Sequence, residues 1–228
     1  MLSQHSLQAL LISVEVALGA SLLVLPPGIL IGRLLARREF AGKGVVETLV
    51  SLPLVLPASA VGYMLLSLFS IDGPLGARNL GFDPGILFTI KGALASAAVM
   101  SLPLVARTAR VAFEGVDPRL EGMARTLGLG PLATLIRVSL PLAARGLAAA
   151  AIMGFSRSLG EFGATVIVAG NIPGRTQTLA LAIFSDIQSG RMEDARGLLL
   201  ITTLLAFAGT YITEMLIRGS STARRREA

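Results

Sequence analysis

Five apolar segments, at about residues 7–35, 45–69, 86–106, 142–159 and 197–217, divide this chain, with charged or Gly/Pro-containing stretches between them. Each is near the roughly 20 apolar residues that cross a bilayer as a helix. A helix is the only open-chain structure that satisfies every backbone group in lipid. The pattern therefore predicts an all-α integral membrane protein, a polytopic bundle of five spans in one transmembrane domain over residues 1–228. Residues 160–195 are apolar in patches but broken between Gly170 and Gly174. With five spans both ends of that stretch lie on one side, which predicts a short re-entrant or surface helical segment rather than a sixth span.

Prolines interrupt the apolar segments. Pro26 and Pro27 fall in the first, Pro53 and Pro57 in the second and Pro103 in the third. Each removes a backbone donor and is expected to bend or break its helix. Broken spans line cavities or packed interfaces, where neighbours satisfy the freed carbonyls. A single kink is ordinary packing; several broken spans favour a transporter over a passive anchor. Gly28 and Gly32 form a GxxxG pair, but among 25 glycines it carries little weight.

Composition supports the membrane reading. Of the 228 residues 53% are hydrophobic and 15% charged, against about 25% charged in soluble domains, and mean hydropathy is +0.73. The formal net charge of +6 would suggest nucleic acid in a soluble protein, but here it reports topology. Arg33, Arg37, Arg38 and Lys43 cluster at the junction of the first two segments. Arg107, Arg110, Arg119, Arg125, Arg137 and Arg145 cluster at the junction of the third and fourth, and Arg218, Arg224, Arg225 and Arg226 follow the fifth. Arg78, Lys91, Arg175, Arg191 and Arg196 on the other side are diluted by Asp72, Asp83, Asp186, Glu193 and Asp194. The positive-inside rule then puts the N-terminus outside and the C-terminus in the cytoplasm. The first segment has no preceding Lys or Arg and contains Glu15, unlike a cleaved signal peptide, so it reads as an uncleaved span.

Few groups suit catalysis. There is no cysteine, and the one histidine is His5. No GxxxxGK[ST], HExxH or GxSxG motif is present, so the chain is expected to be neither an enzyme nor a holder of a cofactor or metal. Arg157 and Glu161 stand i,i+4 and would share a helix face. An ionisable residue in a membrane segment suggests a functional site, and a structural ion pair near the outer interface fits equally well.

The stretch "LEGMARTLGLGPLATLIRVSLP", residues 120–141, is charged every few positions. Asp117 and Pro118 suit the start of a helix. Leu120, Met123, Ala124 and Leu127 then form an apolar stripe at i, i+3, i+4, i+7. Arg119, Glu121 and Arg125 fall on other faces. Gly128 stops this helix and Gly130 loosens the turn. Pro131 opens a second helix carrying Leu132, Leu135 and Ile136, and Pro141 marks the corner into the next span. Such a helical pair suits either a surface-lying helix or docking into a groove on another protein.

This loop, about 117–141, resembles the cytoplasmic signature loop of ATP-binding-cassette importer permeases: E-A-A, three residues, G, nine residues, I-x-L-P. Gly128 is followed at that spacing by Val138, Ser139, Leu140 and Pro141, and Ala124 is in register. Gly122 and Met123 occupy the other two opening positions, and Glu121 stands one place early. The segment "FSRSLGEFGATVIVAGNIPGRTQTL", residues 155–179, resembles permeases for tetrahedral oxyanions. With "SLPLVLPASAVGY" and "AFEGVDPRLEGMARTLG" it is most similar to the molybdate branch, with sulfate/thiosulfate and tungstate permeases as alternatives.

The resemblance implies a multi-pass cell-membrane permease subunit for ATP-driven molybdate import. It would pair with a second permease chain, two cytoplasmic ATPase subunits carrying ATP and Mg, and an extracytoplasmic oxyanion-binding protein. It places coupling to the ATPase on Glu121, Met123, Ala124, Leu127, Gly128, Val138, Leu140 and Pro141. A translocation path or gate falls on Arg157, Ser158, Gly160, Glu161 and Gly163, where Glu161 would repel an oxyanion and suits pairing rather than ligation. A membrane scaffold without transport is the rival from another class.

Overall fold

The computed structural model describes residues 4–226, with side chains as far as residue 215. Every regular element among the described residues is a helix, and none is a strand. In order come α1 (Gln4–Arg37), α2 (Lys43–Val55), α3 (Ala58–Phe69), α4 (Ala77–Leu80), α5 (Ile90–Glu114), α6 (Pro118–Thr126) and α7 (Pro131–Thr134). A π-helical turn at Leu135–Ser139 leads into α8 (Leu140–Leu159), followed by α9 (Gly163–Val168), α10 (Leu179–Gln188) and α11 (Met192–Arg226). Four stretches are long and apolar enough to cross a membrane: Gln4–Arg37, Ile90–Glu114, Pro131–Leu159 and Met192–Met215. A fifth arises if α2 and α3 count as one bent span.

At the centre α1, α5 and α8 share a core of small residues, among them Ala20, Ala93, Ala97, Ala109 and Ala150. Small side chains let helix backbones approach closely where lipid supplies no hydrophobic drive. Gly19 lies against Leu94, Gly28 against Val105 and Gly32 against Ala106 and Arg110, so α1 and α5 run parallel. Gly146 opposite Ala112 and Gly154 opposite Val105 make α8 antiparallel to both. α11 packs along α8, with Gly209 opposite Ser156.

Several sequence expectations need correction. The segment at 45–69 is not one span axis: α2 and α3 meet at 109°. Leu56 is extended ahead of Pro57, as the clash between a proline ring and the preceding residue requires. Pro26, Pro27, Pro53 and Pro103 stand inside unbroken helices instead. The third helix continues to Glu114, so Arg107 and Arg110 are helical rather than in a loop. Pro141 does not turn a corner; the helical path runs on from Pro131 to Leu159.

Residues 160–195 hold two short helices of 6 and 10 residues, each too short to span. α9 lies on α3, where a Cβ on Gly62 would meet Ala164 Cα at 2.9 Å. α10 begins against α1, its Leu179 N–H donating to Ser13 Oγ at 2.6 Å. The side chains of Arg218, Arg224, Arg225 and Arg226, counted above for orientation, lie outside the described residues.

Candidate functional site

The loop between α5 and α8 is built from its caps inward. Asp117 accepts the Arg119 N–H at 2.9 Å, and Pro118 opens α6. At the other end Gly128 has φ +87°. Its N–H bonds Arg125 O at 3.0 Å and the Leu129 N–H bonds Ala124 O at 3.1 Å. These are the paired 5→2 and 6→1 bonds of a Schellman turn, which needs a left-handed residue and so favours glycine.

The apolar stripe splits between two faces. Met123 and Leu127 are exposed (62% and 83%), as are Leu120, Leu132 and Ile136, whereas Ala124 is buried. Leu135 and Leu140 pack on the cluster of Phe113, Val116 and Ala143, and Val138 is half-buried. The loop is thus anchored from behind and presents bare leucine and methionine side chains outward.

Glu121 is not on a free face. It is 4% exposed, and its Oε1 accepts from Arg37 Nε at 3.2 Å and from Ser139 Oγ at 2.8 Å. Arg37 also donates from Nη2 to Val116 O at 2.8 Å. One carboxylate therefore joins the end of α1, the first turns of α6 and the π-helical turn. The turn itself follows from Pro141. Having no N–H, Pro141 gives Arg137 O no i−4 bond, and the Leu140 N–H reaches five residues back to Leu135 O instead.

At the opposite end of α8 the Arg157–Glu161 pair forms, Nη1 to Oε2 at 2.8 Å. Glu161 is 2% exposed and lies past the helix end, which Gly160 caps. Its Oε1 accepts the Ala164 N–H at 2.9 Å, so the carboxylate also caps α9. Ser158 Oγ reaches Ala97 O at 3.5 Å, seven residues into α5, so this end of α8 lies beside the first turns of that helix. Gly163 lets α9 close on α3, since a Cβ there would meet Ala58 Cβ at 2.7 Å.

The rest of the 155–179 segment folds as one compact loop. Ile172 O accepts the N–H groups of Arg175, Thr176 and Gln177. Gln177 Nε2 donates to Asn171 Oδ1 at 2.8 Å, and Asn171 Nδ2 donates to Ser185 Oγ on α10 at 2.7 Å. Phe162 and Phe184 rings, 5.1 Å apart, tie α9 to α10. Sequence reasoning missed a cleft of about 430 Å³ between α1, α2 and α5, lined by Glu47, Ser51, Arg107, Arg110 and Glu114. Arg110 there pairs with Glu47 at 2.6 Å and Glu114 at 2.7 Å, and Arg107 donates to Ser51 Oγ at 2.8 Å. The i,i+3 and i,i+4 spacing of Arg107, Arg110 and Glu114 was the available signal.

Residues 28–225 match the family described as binding-protein-dependent transport system inner membrane component. The chain belongs to that family. As such a component, with several helices fit to cross a bilayer, it is a multi-pass membrane protein and a permease subunit. It is 42% identical to the molybdenum transport system permease protein ModB of Escherichia coli K12, over 92% of this chain and 93% of that protein. It is 39% identical to ModB of Haemophilus influenzae over the same shares. The sulfate transport system permease protein CysT of Salmonella typhimurium is 37% identical over 71% of this chain and 58% of its own length. An inward-facing structure of the MetNI methionine ABC transporter shares the fold, with a TM-score of 0.64 at 18% identity over 96% of this chain and 99% of that one.

Proposed function

We propose that this inner membrane component is the permease of an ATP-driven molybdate importer. The observation that carries the substrate is its similarity to the molybdenum permease ModB along nine-tenths of both chains. Two copies form the path, two ATPase subunits holding ATP and Mg dock on the exposed face of α6, and an extracytoplasmic binding protein delivers the oxyanion. The loop at 117–141 and the C-terminus face the cytoplasm, and the N-terminus faces outward. Met123, Leu127 and the Gly128 turn meet the ATPase; Glu121, Ala124, Val138, Leu140 and Pro141 hold that face in place. Arg157, Ser158, Gly160, Glu161 and Gly163 shape the inner wall of the path, with the Glu161 charge spent on Arg157. Hydrolysis itself belongs to the partner.

Reconstitution with the ATPase and binding protein tests this reading. ATP-dependent molybdate uptake is expected, with tungstate competing well and sulfate poorly. Sulfate uptake equal to molybdate uptake would move the chain to the sulfate branch, to which its similarity to CysT already points over a shorter span. Purification without any ATPase subunit, and no ATP-dependent uptake, would leave the scaffold.

A further inference from the structure

A buried carboxylate that holds three elements together sits in the part of the loop that has to move. Glu121 takes hydrogen bonds from Arg37 on α1 and Ser139 in the π-helical turn. Its Oε2 faces Arg125 at only 3.8 Å. It is also the one carboxylate among the charges acting on Arg33, the others being Arg37, Arg38 and Arg125. Arg37 and Arg125 thus contact this one anion, while Arg33 feels its charge without bonding to it. Arg33 has no ion pair among the described residues, and its Nη1 is buried without a hydrogen-bond partner. A buried N–H left unpaired costs about 1–3 kcal/mol, and such a group needs an explanation.

Arg33 and Arg37 are spaced i,i+4 on α1, so their side chains leave one face of the helix about 6 Å apart at the backbone. The element on the other side of Glu121 is a π turn, a helical register that the chain adopts only where normal bonding is interrupted. Displacing α6 along α1 by one turn would pass the carboxylate from Arg37 to Arg33. One-turn ratchets of this kind are a known form of two-state movement between packed elements.

We propose that Glu121 is an internal clasp rather than a contact to the ATPase, and that Arg33 is its second seat, occupied when the coupling loop shifts between access states. Arg33 and Arg37 are positioning residues in this scheme: they act on the loop, and the loop acts on the ATPase. The inference rests on the coupling role given above to residues 117–141. It adds the element to which the movement is passed, which is α1, and the residue that receives it.

The assembled importer in proteoliposomes provides the test. Arg33→Gln is expected to lower ATP hydrolysis stimulated by the loaded binding protein about tenfold, the effect of losing roughly 1.4 kcal/mol in one of two states. The binding-protein concentration for half-maximal stimulation should barely change. Arg33→Lys should restore most of the rate, and Arg38→Gln should stay within about twofold, because only the second seat is specific. Wild-type rates for Arg33→Gln, or equal losses for Gln and Lys, would overturn the clasp.

A second measurement leaves all three charges in place. The chain has no cysteine, so spin labels can be put on Leu34→Cys and Gly122→Cys, both at exposed positions. In complexes diluted with unlabelled chains, the distance within one chain should shorten by about 5 Å, one helical turn, when a hydrolysis-deficient ATPase is loaded with ATP. An unchanged distance would sink the ratchet. If the wild-type complex showed no ATP-dependent uptake at all, the functional reading would fall first; a working importer with an unmoved clasp removes this inference alone.

Discussion

Gly32 faces the α5 backbone so closely that a Cβ would lie 2.7 Å from Ala106 O and from Arg110 N. Neither atom is the end of a flexible side chain, so the helices themselves would have to part. Gly32→Val is expected to cost about 1–3 kcal/mol, read as a lowered thermal midpoint of the detergent-purified complex. Gly44→Ala, where nothing lies within 4 Å, should leave the midpoint unchanged or slightly raised. Gly28 and Gly32 were visible as a GxxxG pair, but nothing local separates them from the other glycines; only the parallel α1–α5 crossing does. Glu161 is a different case. Its spacing from Arg157 announced the pair, although not the second bond to the Ala164 N–H. Glu161→Ala leaves the buried Ala164 N–H without its acceptor and Arg157, 28% exposed, without its carboxylate, and should destabilise by about 1–3 kcal/mol. Glu161→Gln keeps an acceptor for the N–H and should lose less in the same thermal assay. Glu121 was the least legible residue, because its importance lies in Arg37 and Ser139, respectively 84 and 18 positions away.

Prolines show why element type was more legible than element shape. Each one removes a bond, yet only the Leu56–Pro57 step divides a span. Pro53 and Pro57 stand four apart, so two successive turns lose their bond on the same face. Pro26 and Pro27 are adjacent and concentrate the loss within one turn of a 34-residue helix. Pro141 achieves a third outcome by widening the turn before it. In Pro141→Ala the new N–H can bond Arg137 O, letting residues 135–139 settle into α-helical register. That closure would rotate Ser139 away from Glu121 while α8 itself became more regular. Slower amide exchange over 135–141, unchanged or higher thermal stability, and weaker transport-coupled hydrolysis are expected together. A variant that exchanged and transported like the wild type would show that the π turn has no part in placing the loop. The two ends of α6 were readable from Asp117, Pro118 and Gly128, since caps are set by residues within a few positions.

At the scale of the whole molecule, the surface is that of a chain meant to be surrounded. α2 has no buried residue, and α11 exposes Leu199, Leu200, Leu204, Phe207 and Tyr211 along its length. Lipid or a second copy accounts for such faces; water does not. The bundle was legible because span length is set by the bilayer rather than by tertiary packing, while the charge distribution of Lys and Arg carries a separate expectation about orientation. The same charge distribution makes orientation testable. Ser189 follows α10 and Thr126 ends α6, both are exposed, and the chain carries no cysteine to interfere. With the N-terminus outside, Ser189→Cys should react with a membrane-impermeant maleimide in intact spheroplasts, and Thr126→Cys only after permeabilisation. α5 and α8 run antiparallel and join these two ends, so the labels must fall on opposite sides. Labelling of Thr126→Cys alone in intact spheroplasts would invert the molecule and remove the coupling loop from any cytoplasmic ATPase.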